Sequence, residues 1–103
     1  MGIWLDVASI DELPPGTRRV VDLDGVAVAV FNLGGAYFAI QDECPHDGGV
    51  LSNGKVDGEE ITCPRHGARF SITTGEVLGP PAYEDLRTYP VRVALGKIQV
   101  EVE

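Results

Sequence analysis

Residues 44 to 70 read CPHDGGVLSNGKVDGEEITCPRHGARF and contain both cysteines and both histidines of the 103-residue chain. A Cys-Pro pair at each end of this stretch is followed by a histidine. The first loop carries Cys44 and His46, and the second carries Cys63 and His66. Thiolates and imidazoles are common ligands of transition metals. Two short loops with one of each therefore indicate a shared metal centre.

A single zinc ion and a two-iron cluster both suit this ligand set. Zinc-binding pairs usually have roughly two to four residues between their ligands, and Cys44 and His46 are closer together than that. In a [2Fe-2S] cluster, one iron can take both thiolates and the other both imidazoles, so each loop supplies one ligand to each iron. Gly48, Gly49 and Gly67 would let backbone N–H groups approach the cluster sulfides. The spacing favours the cluster, and a zinc-stabilised interaction module is the alternative.

The sequence on either side of this stretch predicts antiparallel β-structure. Asp24-Gly25 and Gly34-Gly35 are turn dipeptides of tight hairpins and divide an apolar stretch into three segments. The expected strands lie near residues 17 to 23, 26 to 32 and 36 to 41. Apolar residues alternate on both sides of Gly96-Lys97, which predicts a C-terminal hairpin, and residues 10–16 allow one helical turn. Trp4 is expected in the core.

Residues 42–84, called the lobe below, lie between these sheet elements and are rich in glycine and proline. Asp57-Gly58 and Thr74-Gly75 predict two more short hairpins there. The lobe has few apolar residues for a core of its own, so we expect a bound metal group to supply part of its stability. The sequence thus predicts one all-β domain over residues 1–103, an antiparallel β-sandwich base with the small lobe inserted at about 42–84.

The charge of the chain limits its partners. Sixteen acidic and eight basic residues give a formal net charge of −8. Nucleic-acid binding needs clustered positive charge, so a nucleic-acid partner is not expected, and a partner with a basic docking face is. No segment approaches the roughly 20 apolar residues of a membrane span, so we expect no membrane association and a cytoplasmic location.

The two Cys/His loops and the residues around them resemble those of the Rieske iron–sulfur proteins. The resemblance rests on Cys44-x-His46, sixteen intervening residues, and Cys63-x-x-His66. It extends to Leu51, the Cys-Pro-x-His-Gly run, Phe70, Thr74-Gly75, the Pro80-Pro81 loop and the flanking strands. It implies the Rieske fold and one [2Fe-2S] cluster with Cys44, His46, Cys63 and His66 as ligands.

The resemblance also implies a function. No nucleophile with a base, phosphate loop or further metal site is recognisable, so we expect a carrier rather than an enzyme. A Rieske-type ferredoxin takes one electron from an NAD(P)H-dependent flavoprotein reductase and passes it to a terminal oxygenase. The exposed edges of His46 and His66 would form its docking tip. The small subunit of an assimilatory nitrite reductase, which shares the fold, is a second interpretation.

The residues around the ligands indicate a low potential. High-potential respiratory members of the family have hydroxyl side chains where this sequence has Ala68 and Phe70. They also carry a disulfide where it has Gly49, or its neighbour, and Arg65. We therefore expect a midpoint near about −150 mV, the negative end of the Rieske range. By the same resemblance, Pro80-Pro81 would shield the cluster.

Charged residues beside the ligands are the remaining candidates. Arg65 and Arg69 flank His66 and could favour the reduced cluster or contact an acidic partner, whereas Asp47 could disfavour reduction. For all three, a solvated surface role is the alternative.

Overall fold

The computed structural model describes residues 2–45 and 48–102. These residues form a short 3-10 helix, Ile10–Glu12, and strands that all pair antiparallel. The strands are β1 (Ile3–Ser9), β2 (Arg18–Leu23), β3 (Val26–Leu33), β4 (Ala36–Gln41), β5 (Lys55–Asp57), β6 (Glu60–Thr62), β7 (Arg69–Ser71), β8 (Val77–Gly79), β9 (Thr88–Tyr89), β10 (Val91–Ala94) and β11 (Lys97–Val102). Within the described ranges, no helix has the length and apolar character needed to cross a membrane.

The strands form three sheets, two in the base and one in the lobe. The base sheets have the strand orders β1-β11-β10 and β2-β3-β4-β9, and the lobe sheet has the order β5-β6-β7-β8. The predicted all-β class, the three N-terminal strands, the C-terminal hairpin and both lobe hairpins are confirmed. The helical turn predicted within residues 10–16 is the 3-10 helix.

Strand β3 connects the base to the lobe because both of its faces are covered. Alternate residues of a strand point to opposite faces. Val28 and Val30 belong to the core between the base sheets, whereas Ala29 and Phe31 belong to a second core shared with the lobe. This is why β3 is a nearly continuous apolar run, as expected for a strand buried on both faces.

The lobe and the base share this second core. Leu51, Ile61, Phe70 and Ile72 are fully buried there with Ala29 and Phe31 of the base. The lobe thus buries its apolar residues in a core shared with the base, which agrees with the expectation that it has too few for a core of its own. Strands β6 and β7 each bury one large side chain, Ile61 and Phe70.

The segment before β2 is held to the base by polar contacts. The buried Asn32 side chain donates to the Leu13 carbonyl (2.8 Å) and accepts from the Gly35 backbone N–H (2.8 Å).

At the 3-10 helix, the backbone N–H of Ser9 lowers the pKa of the exposed Glu12 carboxyl, with smaller contributions from the Ser9 hydroxyl and Arg19.

Trp4 lies outside the core, contrary to expectation. The next residue of β1, Leu5, packs against the base core, so strand alternation turns Trp4 to the outer face of the sheet. There the Arg92 guanidinium carbon lies 4.2 Å from the centroid of the Trp4 ring. The single tryptophan of the chain thus marks the outer surface of the base.

Candidate metal centre

The first ligand loop begins where β4 ends. The backbone N–H of Cys44 donates to the Gly49 carbonyl (2.8 Å), and the N–H of Gly48 donates to the Cys44 carbonyl (2.7 Å). Gly48 has φ +75°, a left-handed conformation that glycine adopts without steric cost. The loop therefore closes tightly over the buried Cys44 side chain.

The second ligand loop, which follows β6, repeats this pattern. The N–H of Cys63 donates to the Ala68 carbonyl (2.7 Å), and the N–H of Gly67 donates to the Cys63 carbonyl (3.1 Å). Gly67 has φ +80°. Each cysteine thus bonds to the residue five positions later and accepts from a left-handed glycine four positions later. The repeat seen in sequence is also a repeat in backbone geometry.

The histidines occupy different positions within these equivalent loops. His66 is three residues after its cysteine, whereas His46 is two residues after its own. His66 is exposed, while Cys63 is 1% and Cys44 0% exposed. His46 and Asp47 lie outside the described residues. The second loop therefore has its cysteine in the interior and its histidine at the surface.

The structure brings the two cysteines into one buried cluster. Both side chains are buried and pack in the core shared by the lobe and the base. Apolar surroundings disfavour a bare thiolate, and the positive charge of a metal compensates for this cost. Two buried cysteines, with an exposed histidine three residues after one of them, are a donor set that fits an iron–sulfur group.

Asp42 ties the two ends of the first loop together, which the sequence analysis missed. Its buried carboxylate accepts hydrogen bonds from the backbone N–H groups of Leu51 (3.1 Å) and Ser52 (2.7 Å). It also accepts from the Ser52 hydroxyl (3.0 Å). The available signal was an acidic residue directly after a strand and two residues before a predicted ligand.

Arg18 of β2 holds the same segment from the base. Its Nη1 atom donates to the carbonyls of Ser52 and Gly54, each at 2.8 Å. Arginines on strands are common, so no feature of the sequence pointed to this contact, which spans more than thirty residues of chain.

The structure also places the other candidate residues. Ala68 and Phe70 are fully buried in the core that contains the cysteines. Arg65 is exposed, and the exposed Arg69 pairs with Glu60 at 3.4 Å. Arg69 is thus directed along its own sheet. The Pro80-Pro81 bond is cis, and the next residue, Ala82, is buried beside the cysteines in the same core.

Comparisons with known proteins agree with this geometry. The chain is 43% identical over 86 residues to the biphenyl dioxygenase ferredoxin subunit of a Pseudomonas species (strain KKS102), covering 82% of this chain and 79% of that one. A chain in the solved complex of reduced oxygenase and oxidised ferredoxin in carbazole 1,9a-dioxygenase matches with TM-score 0.89 and 36% identity, covering 95% of this chain and 92% of that one.

A third likeness is to a putative NADH-dependent nitrite reductase small subunit from Mycobacterium tuberculosis, with TM-score 0.86 and 31% identity, covering 100% of this chain and 97% of that one. A family model, the Rieske [2Fe-2S] domain, matches residues 3–90. That match includes both ligand loops and most strands of the base. The chain belongs to the Rieske [2Fe-2S] family.

Proposed function

We propose that the chain is a one-electron carrier, a ferredoxin that takes electrons from an NAD(P)H-dependent flavoprotein reductase and passes them to a terminal oxygenase. The observation that carries the proposal is the pair of equivalent loops with both cysteines buried and His66 exposed. The relatives support it, because one is named a dioxygenase ferredoxin subunit and another was solved with an oxygenase.

Cys44, His46, Cys63 and His66 would hold one [2Fe-2S] cluster, which takes up and releases a single electron. The closed loops hold the cysteine donors in the core, where water is excluded. The exposed His66 provides a route from the interior to a partner, so we assign the docking tip to the surface around His66 and His46. In this proposal the chain is a single domain with the ligand lobe inserted in the base, and it works in the cytoplasm.

The surroundings of the loops favour a low midpoint. Ala68 and Phe70 offer no hydroxyl donors to the cluster, and such donors stabilise the extra negative charge of the reduced state. Plant-type clusters, which have four thiolate ligands, have midpoints of about −400 mV. Two neutral imidazoles in place of two thiolates keep the midpoint of this cluster above that value. We therefore place the midpoint near about −150 mV.

The decisive test is metal content followed by electron transfer. We expect protein purified without oxygen to contain iron and inorganic sulfide in equal amounts, with the reduced-state EPR signal of a Rieske centre. It should also support oxygenase turnover when mixed with a flavoprotein reductase and a Rieske oxygenase. A colourless protein that binds zinc but neither iron nor sulfide would refute the proposal.

Single-ligand variants identify which residues bind the cluster. Cys63→Ser and His66→Ala should abolish the Rieske EPR signal, whereas the adjacent exposed residue offers a control, Arg65→Gln, that should retain it. A His66→Ala protein with an unchanged signal would remove His66 from the ligand set.

The likeness to a nitrite reductase small subunit supports a second candidate. In that case the chain would be a stable subunit of a nitrite-reducing enzyme. Co-purification separates the two functions. A carrier leaves its partners during size exclusion, whereas a subunit elutes with a large catalytic chain that reduces nitrite.

A further inference from the structure

We propose that Asp42 and Arg18 are positioning residues for the metal centre. Asp42 binds the backbone N–H of Ser52 and Arg18 binds its carbonyl, and together they fix the first ligand loop against the second. The inference rests on the proposed function, because it assumes that the two loops hold a cluster. Neither side chain is proposed as a ligand.

Asp42 determines the shape of the first loop. Its backbone N–H donates to the Ala27 carbonyl (2.9 Å), which fixes the start of the loop to β3. Its carboxylate then takes the N–H groups of Leu51 and Ser52 at the end of the loop. Hydrogen bonds to an ionised acceptor are roughly twice as strong as neutral ones. The segment containing Cys44 is therefore pinned at both ends.

Arg18 anchors the end of the loop to the base. A single Nη1 atom of Arg18 bonds both the Ser52 and the Gly54 carbonyls, and the guanidinium carbon lies 5.8 Å from the centroid of the Phe31 ring. Ser52 thus donates its backbone N–H to a carboxylate, and its carbonyl accepts from a guanidinium. Opposite charges therefore hold the two peptide groups on either side of the Ser52 Cα atom.

Gly54 packs against the residue that precedes the second loop, so the position of the held segment also fixes that loop. Its N–H donates to the Leu51 carbonyl (2.8 Å). A Cβ atom at Gly54 would overlap the carbonyl oxygen of Thr62, the residue before Cys63. The segment held by Arg18 therefore lies directly against the start of the second loop. Arg18 and Asp42 together fix how the Cys44 and Cys63 loops face each other.

Two consequences distinguish this role from general stabilisation of the fold. If the contacts of Asp42 or Arg18 are removed, the two ligand loops should be held less firmly and the protein should lose its cluster faster. The two charges should also act on the holoprotein in opposite directions, because a nearby negative charge disfavours reduction and a positive charge favours it. Asp42→Asn should therefore raise the midpoint potential, and Arg18→Gln should lower it.

The experiment compares these variants with matched controls. Asp57→Asn changes an exposed aspartate of the lobe, and Arg19→Gln changes the neighbouring arginine, whose contact is a surface ion pair with Glu12. The readouts are the rate of loss of visible absorbance in excess chelator, the midpoint potential, and the EPR g-values. We expect cluster loss to accelerate about tenfold or more in Asp42→Asn and Arg18→Gln, the effect of losing about one charged hydrogen bond. Both controls should match the wild type.

A milder variant keeps the test decisive if either protein fails to fold. Ser52→Ala removes only the hydroxyl donor to Asp42 and should accelerate cluster loss by a smaller factor. Trp4 fluorescence reports folding of the base separately, because Trp4 lies on β1, which belongs to a base sheet and not to the lobe sheet. Arg18→Lys retains the charge and should restore the midpoint.

Unchanged loss rates and midpoints in Asp42→Asn and Arg18→Gln would overturn the proposal. The proposal would also be overturned if these variants lowered the stability of the base but left the midpoint potential and the g-values unchanged. That result would show that the two residues have an ordinary structural role. A wild-type protein without iron or sulfide would instead refute the proposed function, so the two failures are distinguishable.

Discussion

At the residue scale, Ala68 offers a direct test of how the loops control the potential. Ala68 is fully buried, and its carbonyl closes the second loop onto Cys63. In Ala68→Ser, we expect the added hydroxyl to donate to the cluster and stabilise its reduced state. A preference of about 1.4 kcal/mol for the reduced form raises a one-electron midpoint by about 60 mV, which a redox titration measures.

A matched serine elsewhere controls for this substitution. Ala27 is exposed on β3, so Ala27→Ser should leave the midpoint unchanged. A fall in the midpoint of Ala68→Ser, or an equal rise in both variants, would contradict the prediction.

Single residues also show which parts of the candidate site could be predicted from the sequence and which could not. The proposed ligand cysteines could be picked out because the pattern of a Cys-Pro loop with a nearby histidine is local in the sequence. The Asp42 contacts were not, because their partners lie nine and ten residues away and use backbone atoms that every residue has. Trp4 was misplaced because composition ranks residues by burial but does not determine which face of a strand they occupy.

At the scale of elements, turn chemistry predicted most of the fold. Gly25, Gly35 and Gly96 each have positive φ and lie at the hairpin turns that the dipeptides indicated. The way the sheets pack was not available from these local signals. The alternation of β3 between two cores follows only once the lobe is folded onto the base.

One turn of the lobe gives a prediction at this scale. Gly75, between β7 and β8, is buried with φ +79°, and its carbonyl accepts from the N–H of Leu86 (2.7 Å). A Cβ atom there would overlap the Leu86 carbonyl oxygen. Gly75→Ala should therefore lower the free energy of unfolding by about 2–5 kcal/mol, combining the left-handed backbone cost with steric overlap.

Gly58 is the natural comparison. It has φ +61° in the β5–β6 hairpin, and an added Cβ would meet no atom within 4 Å. Gly58→Ala should cost only the backbone term, about 1–2 kcal/mol. Denaturant unfolding measures both variants, and equal losses would show that contact with the Leu86 segment contributes nothing.

At the scale of the whole molecule, the net charge leads to a prediction about how the carrier docks with its partners. The formal charge is −8. An oxidised [2Fe-2S] core of about +2 offsets its two thiolates, so the holoprotein keeps about −8 and becomes about −9 on reduction. Acidic side chains occur on the base and on the lobe alike, so we expect any attraction to a basic partner to be long-ranged and not confined to one contact.

Electron transfer from the reductase should therefore slow with salt. Raising the ionic strength from 0.01 to 0.15 M shortens the Debye length from about 30 to about 8 Å, which removes most of the attraction to a basic docking surface. We expect the second-order rate constant in stopped-flow mixing to fall about tenfold or more. Reduction by a small anion such as dithionite is the control, because screening a repulsion between like charges should make it faster in salt. If both reactions changed in the same direction, salt would be acting on the cluster or the fold, and electrostatic docking would be excluded as the cause.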